Sequence, residues 1–193
     1  VARALVQHGA SVILHGRKGK ALQALFDELA PLGPEPALVE IDLERAQGPA
    51  YQALIEALED RFGKLDGLLH NAGLLGQLSP IEHYDIAQWQ RVMHVNVTAP
   101  FILTRCLLPL LKQSEDASLL FTTSNVGHKG RAFWGAYCAS KFATEGLAQV
   151  LAEELEQTAV RVNVVNPGRV RTRMRAQAYP AEDPQSVAAP ETL

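Results

Sequence analysis

Short apolar runs rich in β-branched residues alternate with helical patterns along most of the chain. Five such runs predict strands, at residues 11–15, 37–41, 65–70, 119–123 and 160–165. The stretches between them predict amphipathic helices, at residues 18–30, 49–61, 85–112 and 135–157. This alternation predicts βαβ units, and therefore an α/β fold in which a doubly wound parallel sheet carries helices on both faces.

The longest helical pattern contains a proline. Pro100 has no backbone N–H to donate, so we expect a break or kink between about Asn96 and Pro100. The tail from about Ala176 carries Pro180, Pro184 and Pro190 and predicts a loop. Because no repeat or long linker divides the chain, we predict a single domain over residues 1–193.

The composition is that of an ordinary globular protein, with 193 residues, 47% of them hydrophobic and 20% charged. The net charge of −3 and the scattered Lys and Arg residues argue against a nucleic-acid partner. Cys106 and Cys138 lie within apolar helical patterns, which favours a reduced, cytoplasmic setting over a disulfide framework. We see no apolar run of the roughly 18 residues that a membrane span needs, so no membrane association is predicted.

Glycines and polar residues follow the predicted strands. They are Gly16-Arg17, Asp42, Asn71-Ala72-Gly73, Ser124 and Pro167-Gly168. In parallel α/β sheets ligands bind outside the carboxyl ends of the strands. The sequence therefore predicts a cleft of nucleotide size at this edge of the sheet.

Tyr137 and Lys141 are four residues apart in a predicted helix, so their side chains project from one face. A free tyrosine has a pKa near 10 and is a poor base at neutral pH, but a nearby ammonium favours the phenolate. Lowering that pKa by three units requires about 4 kcal/mol of differential stabilisation. The pair therefore indicates acid/base chemistry, although a Tyr-x-x-x-Lys pattern alone is a weak signal.

Together these motifs resemble the short-chain dehydrogenase/reductase family over nearly the whole chain. The matching features are Asn71-Ala72-Gly73, Asn96 within Val95-Asn96-Val97, Ser124 thirteen residues before Tyr137, the Tyr137 and Lys141 pair, and Pro167-Gly168 with Thr172. Within the family, the segments at 70–76, 134–137 and 140–146 resemble the YciK-type bacterial oxidoreductases. The resemblance implies a Rossmann-type fold and hydride transfer between NADP(H) or NAD(H) and a small-molecule carbonyl or secondary alcohol.

The resemblance also implies roles for four catalytic residues. Tyr137 would exchange a proton with the substrate oxygen, and Ser124 would hydrogen-bond that oxygen as its charge develops. Lys141 would hold the nicotinamide ribose and lower the pKa of Tyr137. Asn96 would hold a water that continues a proton relay from the lysine.

For the cofactor, the resemblance implies contacts from several strand ends. Asn71, Ala72 and Gly73 would lie against the adenosine and Asp42 against the adenine; Tyr137, Lys141, Pro167, Gly168 and Thr172 would contact the nicotinamide half. An NAD site places an acidic residue at the end of the family's second strand, whereas this chain has Arg17 there, which can pair with a 2′-phosphate. We therefore expect NADP, with NAD as the alternative. The spacing of the six histidines indicates no metal site.

The chain departs from the family pattern in one respect, because it has no Thr-Gly-x-x-x-Gly-x-Gly loop. We expect that loop and the family's first strand to precede Val1, and the last strand and helix to follow Leu193. Without the loop the helix N-terminal amides that hold a pyrophosphate are missing. We therefore expect a fragment that binds NADPH poorly and turns over little, which a comparison with a chain extended at both ends would test.

Two questions stay open at this point. The alternative to an oxidoreductase is a non-enzymatic nucleotide-binding or scaffold protein that retains the fold. The helices at 85–112 and 135–157 resemble those that assemble family homodimers and homotetramers, so a homo-oligomer is expected of the full domain. The sequence does not identify the substrate.

Overall fold

The computed structural model describes residues 1–17 and 19–192. In these residues the strands are β1 (Ile13–Gly16), β2 (Ala37–Glu40), β3 (Gly67–His70), β4 (Ala117–Thr122) and β5 (Val160–Val165). The α-helices are α1 (Ala2–Gln7), α2 (Gly19–Leu29), α3 (Gly48–Phe62), α4 (Ile86–Met93), α5 (Ala99–Leu111), α6 (Gly135–Glu154) and α7 (Arg173–Ala178). Helices and strands alternate and every pairing between these strands is parallel, which confirms the α/β fold class.

The chain forms two compact units, Val1–Leu54 and Ile55–Leu193. In the first, β1 and β2 form a two-stranded parallel sheet in which Ile13 pairs with Ala37 and Gly16 with Glu40. Its buried core comprises Val6, Leu14, Leu22 and Leu29. The last two come from the apolar stripe that predicted α2, so this small core follows directly from the helical periodicity.

In the second unit, β3, β4 and β5 form a three-stranded parallel sheet with β4 in the centre. Ala117, Leu119 and Phe121 alternate along β4 and are fully buried, as expected of a strand with one face on the core. The register pairs His70 with Phe121 and Thr122 with Val165. The carboxyl ends of all three strands therefore meet at one edge.

The long helical region is interrupted as Pro100 predicted. The carboxylate of Asp85 caps α4 by accepting the backbone N–H of Gln88 at 2.7 Å. A π-helical turn, His94–Thr98, then separates α4 from α5, and Pro100 lies in the first turn of α5, where no N–H donor is needed. The predicted break is confirmed, and its form is one wider turn in a continuous helical stretch.

The same stretch bears on the expectation that no segment of the chain is apolar enough to span a membrane. By length and composition alone, the 26 residues Ile86–Leu111 are apolar enough to cross a membrane. Half of its most apolar window is buried inside the fold, and the core helix of a globular protein passes the same test.

The described strands form two parallel sheets, β1–β2 and β3–β4–β5. One other feature differs from the sequence expectations. Helix α7 occupies Arg173–Ala178, so the loop predicted from about Ala176 is wrong for its first residues. The single-domain organisation stays a prediction.

Candidate active site

Polar groups gather where β3, β4 and β5 end. The hydroxyl of Thr122, the last residue of β4, donates to Oδ1 of Asn71 at 3.1 Å. Beyond β5, the side chain of Asn166 accepts the N–H of Gly168 at 3.0 Å, in a turn where Gly168 has a φ of +72°. A residue with a side chain would be strained there, so this glycine fixes the chain direction after β5.

Helix α6 brings Tyr137 and Lys141 to this edge. Tyr137 and Lys141 lie one turn apart on its buried face, with relative exposures of 8% and 7%. The side chain of Ser124, two residues beyond β4, lies close enough to the phenol of Tyr137 to lower the pKa of that group. The structure thus brings together three of the four predicted catalytic residues, Ser124, Tyr137 and Lys141.

The ammonium of Lys141 is held at the end of β4. Its Nζ donates to the carbonyl oxygen of Thr122 at 2.7 Å and lies 5.6 Å from the ring centre of Tyr137. Burial lowers the pKa of Lys141 to about 8, with the charge of Glu145 acting in the opposite direction. An ammonium has three donors, and one hydrogen bond is seen within the described residues, so this buried group can still bind hydroxyl oxygens.

Burial raises the pKa of Tyr137 above its ordinary value, and the side chain of Ser124 opposes this rise only in part. The expected lowering of this pKa by Lys141 stays a prediction. Desolvation disfavours the phenolate, and the ammonium is directed to the carbonyl of Thr122. The phenol is therefore the stable form at neutral pH in this state.

Asn96 lies in the π-helical turn and is buried, with 4% exposure. Its Oδ1 accepts the N–H of Leu74 at 2.7 Å, and its Nδ2 donates to the carbonyl of Leu74 at 2.9 Å and to Oγ of Ser140 at 3.0 Å. Both side-chain N–H groups are therefore used by protein atoms. Asn96 ties the loop after Asn71-Ala72-Gly73 to α6, and the water relay stays a prediction.

The other expected cofactor residues are placed as follows. In the first unit, Arg17 is half exposed beyond β1 with its guanidinium 3.7 Å from the carboxylate of Glu44, and Asp42 follows β2 and accepts the N–H of Glu44 at 3.1 Å. In the second unit, Thr172 caps α7 by accepting the N–H of Arg175 at 3.2 Å. Each residue lies after a strand of its own unit, as the sequence predicted.

Comparison with known proteins identifies the family. The sequence profile of the short chain dehydrogenases matches residues 1–183. The chain belongs to the short chain dehydrogenase family. The uncharacterized oxidoreductase YciK of Escherichia coli K12 is 47% identical over 188 residues, which cover 97% of this chain and 74% of YciK.

Solved structures of other short chain dehydrogenases share the fold. One from Pseudomonas syringae superposes with a TM-score of 0.97 at 55% identity, covering 99% of this chain and 78% of its own. One from Escherichia coli CFT073, solved in complex with NADPH, superposes with a TM-score of 0.95 at 47% identity, covering 99% of this chain and 80% of its own. The resemblance to the family and to its YciK-type members is confirmed.

Two groups in this short chain dehydrogenase were not found from the sequence. Glu145 is buried beside Lys141, and Arg131 stacks with aromatic side chains next to Tyr137. The position of Glu145, eight residues after Tyr137 on the same helix, was a usable signal that we did not use. Arg131 gave no local signal, because its neighbour Tyr179 is 48 residues away in sequence.

Proposed function

We propose that this protein is an NADP-dependent oxidoreductase that transfers hydride between the cofactor and a carbonyl or secondary alcohol. The observation that carries the proposal is the Ser124, Tyr137 and Lys141 arrangement at the carboxyl edge of a parallel sheet. Family membership supports the reaction class, and the relative solved with NADPH supports the cofactor. Neither the family membership nor the relative solved with NADPH identifies the substrate.

Tyr137 acts as the proton donor in carbonyl reduction. Its raised pKa keeps it protonated at neutral pH, which is the state that reduction requires. The hydroxyl of Ser124 is positioned against the same phenol and stabilises negative charge that develops on the substrate oxygen. Alcohol oxidation needs the phenolate instead, so it is expected to accelerate with rising pH.

The residues present suit NADP. Lys141 would hold ribose hydroxyls with its remaining N–H groups, and Arg17, half exposed in its unit, would bind the 2′-phosphate. NADPH, when bound, supplies the hydride. Replacing Arg17 with Ala is expected to lower the preference for NADPH over NADH by at least tenfold, with little change in turnover.

The proposal is tested with the protein expressed from the complete reading frame that contains these residues. Absorbance at 340 nm follows NADPH oxidation with a panel of ketones and aldehydes, and titration of NADPH and NADH gives their affinities. The Tyr137→Phe variant should lose about 10²- to 10⁴-fold in kcat while binding NADPH. Cofactor binding without turnover of any carbonyl would favour the scaffold alternative.

Two further properties belong to the proposal. Exposed Phe101 on α5, with Phe142 and Val150 on α6, supports a homodimer or homotetramer built on these helices. Light scattering after size-exclusion chromatography should give a multiple of the monomer mass, and Phe101→Glu should reduce the measured mass.

The free thiols of Cys106 and Cys138 support a cytoplasmic location.

A further inference from the structure

Glu145 is a buried carboxylate that the proposed reaction does not use. It is 8% exposed, and its Oε1 accepts a hydrogen bond from Oγ1 of Thr123 at 2.5 Å. The same oxygen lies 3.3 Å from Nε2 of His128, and Lys141 lies one turn earlier on α6. Burying a carboxylate costs several kcal/mol unless partners compensate it, so this side chain needs an explanation.

The adjacent residues Thr122 and Thr123, at the end of β4, each hydrogen-bond a side chain of α6. Lys141 donates to the carbonyl of Thr122, and Glu145 accepts from the hydroxyl of Thr123. The next residue is Ser124, whose side chain lowers the pKa of Tyr137. The contact from Glu145 therefore fixes the strand end immediately before the serine to the helix that carries the tyrosine.

Glu145 also sets the charge around Lys141. Burial lowers the pKa of Lys141 to about 8, and the carboxylate opposes that shift. Among the described residues, the other titratable groups nearby are Tyr137 on α6 and His128 in the loop before it. The end of β4 contributes the uncharged Thr122, and Thr123 directly follows the strand. Without the carboxylate, a larger fraction of Lys141 would be neutral at physiological pH.

We propose that Glu145 is a positioning residue of the active site, which holds the Thr123–Ser124 strand end against α6 and places a carboxylate one turn from Lys141. Its role in turnover rests on the proposed function. Its effect on Lys141 is a property of the folded chain and needs neither cofactor nor substrate.

The first test measures the ionisation of Lys141 directly. The ¹³Cε chemical shift of lysine-labelled protein is titrated, with the Lys141 signal assigned by Lys141→Met and His128→Gln used as background to remove the imidazole. Glu145→Gln keeps the shape and can still accept from Thr123, and it should lower the titration midpoint of Lys141 by at least half a pH unit. Glu153→Gln, on the exposed face of the same helix, should leave the midpoint in place.

The second test separates charge from geometry in turnover. In Glu145→Gln the alkaline limb of the kcat/KM profile should move to lower pH, whereas Thr123→Val should lower kcat with the limb in place. Glu145→Asp, which keeps the charge, should restore the position of the limb. An unchanged Lys141 midpoint in Glu145→Gln would overturn the proposal, even if turnover fell; a shifted midpoint in a protein that reduces no carbonyl would reject the proposed function alone.

A second observation lies on the other side of Tyr137. The ring of Trp134 is 5.9 Å from the ring of Tyr137 and 5.9 Å from that of Tyr179. The guanidinium carbon of Arg131 lies 5.2 Å from the ring centre of Trp134 and 5.4 Å from that of Tyr179. One indole ring thus separates a cation from the proton donor.

The two arginines of this cluster differ in their partners. Arg175 makes two hydrogen bonds to the carboxylate of Glu182, at 2.6 and 2.5 Å, so its charge is compensated. Arg131 donates to the neutral hydroxyl of Tyr179, and no carboxylate of the described residues forms an ion pair with it. Arg131, on the far side of the Trp134 ring from Tyr137, is therefore the arginine of this cluster that can pair with an incoming anion.

The loop that presents Arg131 is held in a costly conformation. Phe133 has a φ of +72°, a left-handed conformation that a bulky residue rarely adopts, and its carbonyl accepts the N–H of Ser79 at 3.0 Å. Such strain persists where surrounding contacts fix it, and it is concentrated at ligand sites. We infer that the substrate is a carbonyl compound with a flat apolar body, which packs on Trp134, and a carboxylate that pairs with Arg131.

This inference rests on the proposed function and is tested with a matched pair of substrates, 4-oxo-4-phenylbutanoate and its methyl ester. The acid should be preferred at least tenfold in kcat/KM, mainly through KM. Arg131→Gln should reduce the acid-to-ester ratio at least tenfold, and Arg173→Gln, an exposed arginine in α7, should preserve it. Reduction of carbonyls without a preference for the acid, or a ratio unaffected by Arg131→Gln, would reject this inference and leave the proposed function standing.

Discussion

At the scale of single residues, Lys141 couples function to a cost in stability. Its ammonium is nearly inaccessible, and burial lowers its pKa from an ordinary value of 10.5 to about 8. Below pH 8 both the folded and unfolded chains carry the proton, so the cost of burial is fully present. Between pH 8 and 10.5 the unfolded chain binds more protons than the folded one, and stability rises with pH.

We therefore predict that the stability of the wild type and of Lys141→Met will diverge with pH. Between pH 7.5 and pH 10 the wild type should gain about 2 kcal/mol relative to the variant, because the variant lacks this titration. The constant loss of the hydrogen bond to Thr122 cancels in the difference. Urea denaturation at several pH values measures it, and parallel curves for the two proteins would contradict the burial argument.

A second prediction at this scale concerns the contribution of Asn96 to stability. In Asn96→Ala the N–H and carbonyl of Leu74 and the hydroxyl of Ser140 lose their partner, which should destabilise the protein by about 2–4 kcal/mol. Asn163→Ala, on the exposed side of β5, is the matched control and should change stability by less than about 0.5 kcal/mol. If chemical denaturation gives equal effects, Asn96 is not the anchor of the loop after β3.

At the scale of elements, the short 3₁₀ turn Asn125–Gly127 packs closely against α6. A Cβ added at Gly127 would lie 2.8 Å from Oγ1 of Thr123 and 3.3 Å from both Cβ and the carbonyl oxygen of Lys141. The turn therefore rests directly on the contacts that align β4 with α6. Gly130, three residues later, has open space in the same position.

We predict that Gly127→Ala destabilises the protein by about 1–3 kcal/mol, because the methyl group forces the turn away from α6. Gly130→Ala should be neutral or slightly stabilising, since it only restricts the unfolded chain. Thermal and urea denaturation compare the two variants. Equal stabilities would mean that the turn can shift without affecting the helix.

Much of this element level could be predicted from the sequence. The strands were predicted within two residues of their observed ends, since apolar runs of that length between glycines and prolines have few alternatives. Pro100 located the break, but the π-helical turn depends on how Asn96 packs beneath Leu74, which no local pattern encodes. Helix α7 was missed because its Arg175 makes its contacts with Glu182, a residue outside the helix.

For the site, residue types and spacing placed Ser124, Tyr137 and Lys141 together, because strand ends and one helix face follow from periodicity alone. The raised pKa of Tyr137 could not be predicted, since it depends on how completely the ring is buried. The contact between Glu145 and Thr123 could not be predicted from the sequence either. Their contact joins a helix to a strand end 22 residues away, and only tertiary packing creates it.

At the scale of the whole molecule, the two units differ in the size of their cores. The first has a two-stranded sheet and a core cluster that includes Val6, Leu14, Leu22 and Leu29. The second has a three-stranded sheet whose central strand buries Leu119 and Phe121 completely. Two-stranded sheets are marginally stable in water, and regions with fewer buried contacts open at lower free energy.

Hydrogen exchange should therefore divide the chain along these units. We predict that amides of β1 and β2 exchange at least tenfold faster than those of β4, because opening the first unit exposes less apolar surface. Mass spectrometry of peptides covering 11–17, 36–41 and 116–123 measures this. Substituting Leu29 with Ala should accelerate exchange in the first two peptides and leave the third unchanged, since Leu29 belongs to the core of the first unit. Equal protection of β1, β2 and β4, or a response to Leu29→Ala that extends to β4, would show instead that the chain opens as one cooperative body.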